Sequence, residues 1–350
     1  MRTSVVSLKT AHSFEPMKIT GFHLKTCPRL WLVCALGCFT NVALEAQELI
    51  ANASATAYAV IDHQSGHVLG SFNGKKKLPV ASLTKIATAC VALDWAHAAK
   101  CDLDQFISVS PSAVALGSAG QGIPWAPGDS ASLRDFLYAA LLQSDNVAAQ
   151  TIAEYVGRLV AQPSGSENPA IPFIAQMNAL ARKLDMNDTC FLNPHGVEGF
   201  ERKLPYSTAE DMARLTSYAM SNSGFRFIVS QRERRVAVRR QDSSRFDYML
   251  RNTNDALGES SIDGVKTGTT KQAGQCLAIS AARPPEVRQE GETFYPIPRR
   301  LEVVVLGSQN RFEEAKQLLQ AGWGQHQRWV AAGRPIDPKE KTGIKTALGF

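Results

Sequence analysis

Hydrophobic positions change their period twice along this chain. Residues 55–73, "ATAYAVIDHQSGHVLGSFN", hold two short strand-like runs separated by the polar turn His63–Gly66, the pattern of a β-hairpin. From Ser82 the spacing becomes helical. Segments 83–97, 132–142 ("SLRDFLYAALL"), 147–157, 171–184 and 208–221 read as helices, with "APGDS" and "QPSGSENP" as loops. Strand character returns at about 262–268, 275–282 and 301–308 ("LEVVVLGS"), and a helix follows near 311–322. Strands near both ends around a helical middle predict an α+β chain, a sheet closed by distant segments with a helical lobe over about 83–220 inserted. A cleft is expected between lobe and sheet. Residues 326–350 are polar, contain Gly and Pro and lack an amphipathic pattern, so they read as a short C-terminal tail.

At 350 residues, 44% of them hydrophobic, the chain is long enough for one large domain or two lobes around a substantial core. The formal net charge of +6 is unevenly spread. Residues 1–46 hold Arg2, Lys9, Lys18, Lys25 and Arg29 against Glu15 and Glu45, a surplus of three, which leaves about +3 for the remainder. That is too mild to argue for nucleic acid. The run "RERRVAVRR" (232–240) reads as a solvated face more than as a polymer contact. No internal repeat or coiled coil points to a structural protein.

The basic residues near the start precede "LWLVCALGCFTNVAL" (30–44), an apolar run short of a comfortable bilayer span. This is the pattern of a secretory signal covering 1–46, cleaved near Ala43 or Ala46, with Met17 as an alternative start. "ALGC", ending at Cys38, is similar to a lipoprotein cleavage box with leucine one place off. The mature protein, from about residue 47, is expected to be extracytoplasmic, with at most peripheral membrane association. Three cysteines lie in this leader. Cys90, Cys101, Cys190 and Cys276 show no Cys-x-x-Cys and no zinc spacing, so core thiols or at most a disulfide or two are expected, and no metal or other cofactor.

The stretch "VASLTKIATACVAL" (80–93) carries the chemistry. Ser82 and Lys85 are three residues apart at the start of an apolar helix and therefore share a face. Burying a lysine disfavours its charged form, and a lysine driven towards neutrality is a base that can activate the serine beside it. Ser-x-x-Lys alone also fits a surface lysine at a helix start. Two further motifs follow: Ser144-Asp145-Asn146, 62 residues after Ser82, and Lys266-Thr267-Gly268, 122 residues after Ser144. Singly, the first would be a helix cap and the second the end of an edge strand. In this order, the three are the set of class A β-lactamases and penicillin-binding proteins.

Over about 55–322 the chain resembles the low-molecular-mass penicillin-binding proteins that are serine D-alanyl-D-alanine carboxypeptidases. The resemblance is carried by "AYAVIDHQSGHVL", "LPVASLTKIATA", "LQSDNVAAQTIAE", "FLNPHGVEG", "YSTAEDMARL", "DGVKTGTTKQAG" and "NRFEEAKQLLQAGW". It implies an α/β sandwich of the transpeptidase type over 47–325, its antiparallel sheet drawn from both chain ends and flanked by helices. It further implies a penicillin-sensitive enzyme that removes the terminal D-alanine from peptidoglycan stem peptides through an acyl-enzyme on Ser82. Lys85 is then the base, and the backbone N–H groups of Ser82 and Thr269 hold the oxyanion. Ser144 relays a proton to the leaving amine, Asn146 holds a substrate amide, and Lys266, Thr267 and Arg311 recognise the terminal carboxylate. His195, in "NPHGVEG", lies in a segment that resembles one near the family's site and is left outside catalysis. Asp145 stands where many of these carboxypeptidases have glycine.

Three other functions compete. A serine β-lactamase of class A needs a glutamate to hydrolyse its acyl-enzyme. No Glu-x-x-x-Asn segment occurs between Asn146 and Lys266. An endopeptidase acting on cross-linked peptidoglycan is compatible with the few residues after Trp323, since longer family members carry a β-rich C-terminal domain and a membrane-associating helix there. An inert cell-wall peptide-binding protein would not need Ser82, Lys85, Ser144 and Lys266 together.

Overall fold

The computed structural model describes residues 49–335 apart from 51, 118–121, 162–167, 200–203 and 291. The expected leader with its cleavage region and Cys38, and residues 336–350 of the expected tail, lie outside the described residues. In chain order the elements are β1 (Ala57–Asp62), β2 (Val68–Phe72), a 3₁₀ turn (Ala81–Leu83) leading into α1 (Thr84–Ala98), β3 (Phe106–Ser108), α2 (Pro111–Ala115), β4 (Ser130–Ser132) and α3 (Leu133–Leu142). They continue as α4 (Asn146–Val160), α5 (Ala170–Lys183), α6 (Ala209–Ser221), α7 (Ser223–Val229), β5 (Glu233–Arg239) and β6 (Arg245–Arg251). The last are β7 (Ile262–Thr270), β8 (Gly274–Glu290), β9 (Thr293–Ser308) and α8 (Arg311–Ala331).

The expected sheet is present as an antiparallel five-stranded sheet in the order β2-β1-β9-β8-β7, joining the two ends of the chain. All six residues of β1 are buried, because both faces of this strand are covered. Ala57, Ala59 and Ile61 belong to the core shared with the helical lobe, whereas Tyr58 and Val60 alternate into a second core beneath α8. Gly322 in α8 brings that helix close to the sheet; a methyl group there would stand 2.7 Å from Val60 Cγ1.

Helix α1 has no polar face, and a helix apolar all round belongs in the middle of a core. Its three deep polar groups besides Lys85 are satisfied: Asp94 accepts the Tyr218 hydroxyl at 2.6 Å, and the hydroxyls of Thr84 and Thr88 donate to Ala81 O at 2.9 Å and Pro194 O at 2.6 Å. Around it α3, α4 and α6 each begin at a side-chain cap, from Ser132, Asp145 and Thr208 respectively.

Three features correct the sequence reading. Helix α8 passes through the expected start of the tail and runs to Ala331, burying His326 and Trp329. His67 stacks on Trp329 at 4.8 Å and His326 Nε2 lies 3.5 Å from Asp62, so the polar residues that hid the pattern are partners of the β1–β2 turn. Strands β8 and β9 extend far past the expected 275–282 and 301–308, pairing as far as Glu290 with Thr293. Prolines 284, 285, 296 and 298 mask them in the sequence, but this extension leaves the sheet as a lone hairpin, where each strand has a free edge that tolerates proline. A second sheet, β3-β4-β5-β6, was not foreseen; it includes most of "RERRVAVRR", whose Val236 and Val238 are buried while Arg235 and Arg239 face solvent. The four described cysteines are free thiols, and Cys90 and Cys276 are core residues as expected. Among the described residues no helix is long and apolar enough to cross a membrane.

Candidate active site

Ser82 lies in the 3₁₀ turn that leads into α1, and Lys85 follows one turn later with its side chain fully buried. The lysine Nζ donates to Ser82 Oγ at 2.9 Å, to Asn146 Oδ1 at 2.8 Å and to the carbonyl of His195 at 2.9 Å. All three acceptors are neutral. Burial therefore lowers the Lys85 pKa to about 7, against the opposing pull of the Asp145 carboxylate. Lys85 is thus half-way between ammonium and free amine near neutral pH, in line with the base expected from the sequence.

Asn146 reaches Lys85 because α4 begins there, with Asp145 as its cap: Asp145 Oδ1 accepts the Ala148 N–H at 2.9 Å. Ser144, one residue earlier, has φ +65°, in the left-handed region that ends α3 sharply and turns the chain towards α4. The Ser-Asp-Asn motif is therefore both a helix cap and one wall of the site.

The opposite wall is β7. Lys266 is buried and donates to Thr267 O at 2.9 Å. Burial, then the charges of Lys85 and Arg311, hold its pKa well below the usual lysine value. The Thr267 hydroxyl is bonded to that of Thr253 at 2.6 Å. Gly268 presses the strand against the nucleophile turn; a methyl group there would stand 3.0 Å from Ser82 N and 3.1 Å from Val80 O. Thr269 is exposed at the cleft edge. Arg311, the first residue of α8, folds over this end of the strand and donates from Nη1 to Gly268 O at 3.0 Å and to Thr269 Oγ1 at 2.8 Å. Its Nε is buried and has no hydrogen-bond partner.

All eight residues singled out in the sequence thus fall on the nucleophile turn, the α3–α4 junction, β7 and the start of α8. The reading missed what the "NPHGVEG" segment does. It is the backbone of His195, not the ring, that touches Lys85. Burial, and after it the charge of Lys85, hold the ring's pKa at about 3, and its Nδ1 accepts the Val197 N–H at 3.2 Å. Gly196, at φ +80°, packs directly on Ala81 O, where a side chain has neither the space nor the backbone conformation. Thr253 was also missed; no motif marks it, since only folding brings it to Thr267.

A serine activated by a buried, half-neutral lysine beside a Lys-Thr-Gly strand is the equipment of an acyl-transferring serine peptidase of the penicillin-recognising type. The profile of the D-alanyl-D-alanine carboxypeptidases matches residues 42–288, and the chain belongs to this family. It is 31% identical to the D-alanyl-D-alanine carboxypeptidase DacC of Escherichia coli over 86% of this chain and 68% of that protein. It is 32% identical to a D-alanyl-D-alanine endopeptidase of Pseudomonas aeruginosa over 68% of this chain and 70% of that one. Among solved structures, a point mutant of the Streptomyces K15 DD-transpeptidase superimposes with a TM-score of 0.65 at 26% identity, covering 79% of this chain and all of the other. The expected transpeptidase-like fold is therefore the one observed.

Proposed function

We propose that the protein is a serine D-alanyl-D-alanine carboxypeptidase that trims peptidoglycan stem peptides through an acyl-enzyme on Ser82. The observation that carries this is the 2.9 Å contact between Lys85 Nζ and Ser82 Oγ, in a pocket where the lysine is fully buried. Neutral Lys85 takes the hydroxyl proton as Ser82 Oγ bonds to the carbonyl carbon of the penultimate D-alanine. The N–H groups of Ser82 and Thr269 hold the resulting oxyanion. The C–N bond then breaks, and the proton passes from Lys85 by way of Ser144 to the departing D-alanine amine. Water, deprotonated by the same lysine, attacks the ester; the bond from the carbonyl carbon to Ser82 Oγ breaks, the proton on Lys85 returns to Ser82 Oγ, and the shortened peptide leaves. Asn146 is the partner for a substrate amide. Lys266, Thr267 and Arg311 receive the terminal carboxylate, a planar anion suited to arginine's fork. A β-lactam presents a strained acyl group whose leaving nitrogen stays attached, so it would label Ser82 and persist.

The leader pattern supports action outside the cytoplasmic membrane by a mature chain from about residue 47, its catalytic region reaching the end of α8. A second reading, cleavage of cross-links, is supported by the likeness to the P. aeruginosa endopeptidase over more than two thirds of both chains. Digestion of purified cell-wall peptides, with products identified by mass, separates the two. Free D-alanine is expected; shortened cross-links without free D-alanine would replace carboxypeptidase by endopeptidase. Benzylpenicillin should add covalently to Ser82, and an adduct mapped to any other residue would refute the nucleophile.

A further inference from the structure

The mechanism above uses Ser144 and Asn146 but leaves Asp145 idle, although this carboxylate is only 3% exposed. Both of its oxygens are acceptors. Oδ1 takes the Ala148 N–H at 2.9 Å and Oδ2 takes the Trp125 indole N–H at 3.2 Å; burial raises the pKa of this carboxyl above the usual value, while these two donors and the charge of Lys85 oppose that rise and favour the ionised form. Trp125 is itself fixed by stacking on Phe136 at 4.9 Å. The anion is thus held at the foot of the turn whose next residue, Asn146, grips Lys85 Nζ.

On the other side of the ledger the site concentrates positive charge. Lys85 and Lys266 are both fully buried, Arg311 is half-buried beside them, and their hydrogen bonds described above all end on neutral oxygens. The groups around Lys85 are Ser82 on its own turn, Asp145 and Asn146 from α4, His195 from the loop before α6 and Lys266 from β7. Of these only Asp145 is negative, and the His195 ring is neutral at any working pH. Burial lowers the affinity of Lys85 for its proton and Asp145 raises it.

Resting on the carboxypeptidase reading, we infer that Asp145 is a positioning residue that acts through Lys85, as the fixed counter-charge that sets the pH at which the Ser82–Lys85 pair becomes active. Without it the buried ammonium is less stable and gives up its proton at lower pH. The residue is therefore more than a helix cap, and exchange for a neutral cap resets the enzyme's working range without touching the nucleophile.

The test is the pH profile of Ser82 acylation by a chromogenic β-lactam in wild type, Asp145→Asn and Asp145→Gly. Asparagine keeps a strong cap and glycine a slightly weaker one, so the two variants differ in cap and share only the loss of charge. The acylation limb that rises with pH should move to lower pH in both, by on the order of one unit. Below the wild-type limb, relative to its own plateau, each variant should then acylate roughly tenfold faster than wild type. A purely structural Asp145 would lower the plateau and the melting temperature and leave the limb where it was, which would overturn the inference alone. A wild type that no β-lactam acylates at Ser82 would overturn the functional reading and this inference with it.

Discussion

Gly268 and Ser82 face each other at a separation that leaves no room for a methyl group: a Cβ on Gly268 would stand 3.0 Å from the Ser82 nitrogen and 3.1 Å from Ala81 Cβ. The close approach places β7 against the nucleophile turn, so that N–H groups from both can point at one oxygen. Both contacts are to rigid groups, backbone and a β-carbon, and neither can rotate away.

Gly268→Ala should therefore act on rate more than on folding. The strand must retreat by a few tenths of an ångström, spoiling the geometry on which the oxyanion depends. Acylation is expected to fall roughly tenfold to a hundredfold. Stopped-flow acylation beside a thermal melt checks this; a near-normal rate would show that the two segments can separate without consequence.

Lys85→Arg should cripple acylation while keeping the positive charge, because arginine stays protonated at any usable pH and cannot accept the serine proton. General-base steps contribute on the order of a hundred- to ten-thousand-fold, and the loss should be of that size in a protein that still melts cooperatively. Near-wild-type acylation would leave Lys85 a charge-supplying residue.

Stability should carry the mark of the same lysine. Its pKa falls from 10.5 in the unfolded chain to about 7 in the fold, so between these values the unfolded state holds a proton that the folded state has lost. Stability from this group accordingly rises with pH across that window, and below about 7 the cost of the buried charge is felt in full. Lys85→Met removes the titration. The stability difference, variant minus wild type, should shrink by on the order of a few kcal/mol as pH rises from about 7 towards 10. Denaturant melts at several pH values measure it; a flat difference would mean that the lysine titrates alike in both states.

Trp329→Ala addresses the end of α8, well beyond the helix start where Arg311 meets the site. The indole is 6% exposed, stacked on His67, and donates to Pro335 O at 2.8 Å. A cost of about 3–5 kcal/mol is expected, with acylation at low temperature unchanged. If stability is unaffected, the second core ends before this turn.

Much of this was legible in the sequence. The apolar runs located the hairpin, all five long helices of the lobe and the cores of β7, β8 and β9, because burial on a fixed face leaves a period that a single chain displays. The candidate site was legible in part: helical spacing puts Ser82 and Lys85 on one face, and the family resemblance adds Ser144, Asn146, Lys266, Thr267, Thr269 and Arg311. What could not be read were partnerships between segments. Proline concealed the β8–β9 extension because a free edge is a property of the finished sheet. His326 and Trp329 looked like a polar tail because their partners, Asp62 and His67, lie more than 250 residues away in sequence. The sequence by itself determined which groups this protein can use and the elements that carry them. Only the tertiary structure decided that Asn146 and the His195 carbonyl grip Lys85, that Gly268 touches the Ser82 turn, and that Asp145 is the anion beside a buried base. The reason is physical: a pKa depends on the dielectric and the charges within a few ångströms, and those neighbours exist only once the chain has closed around them.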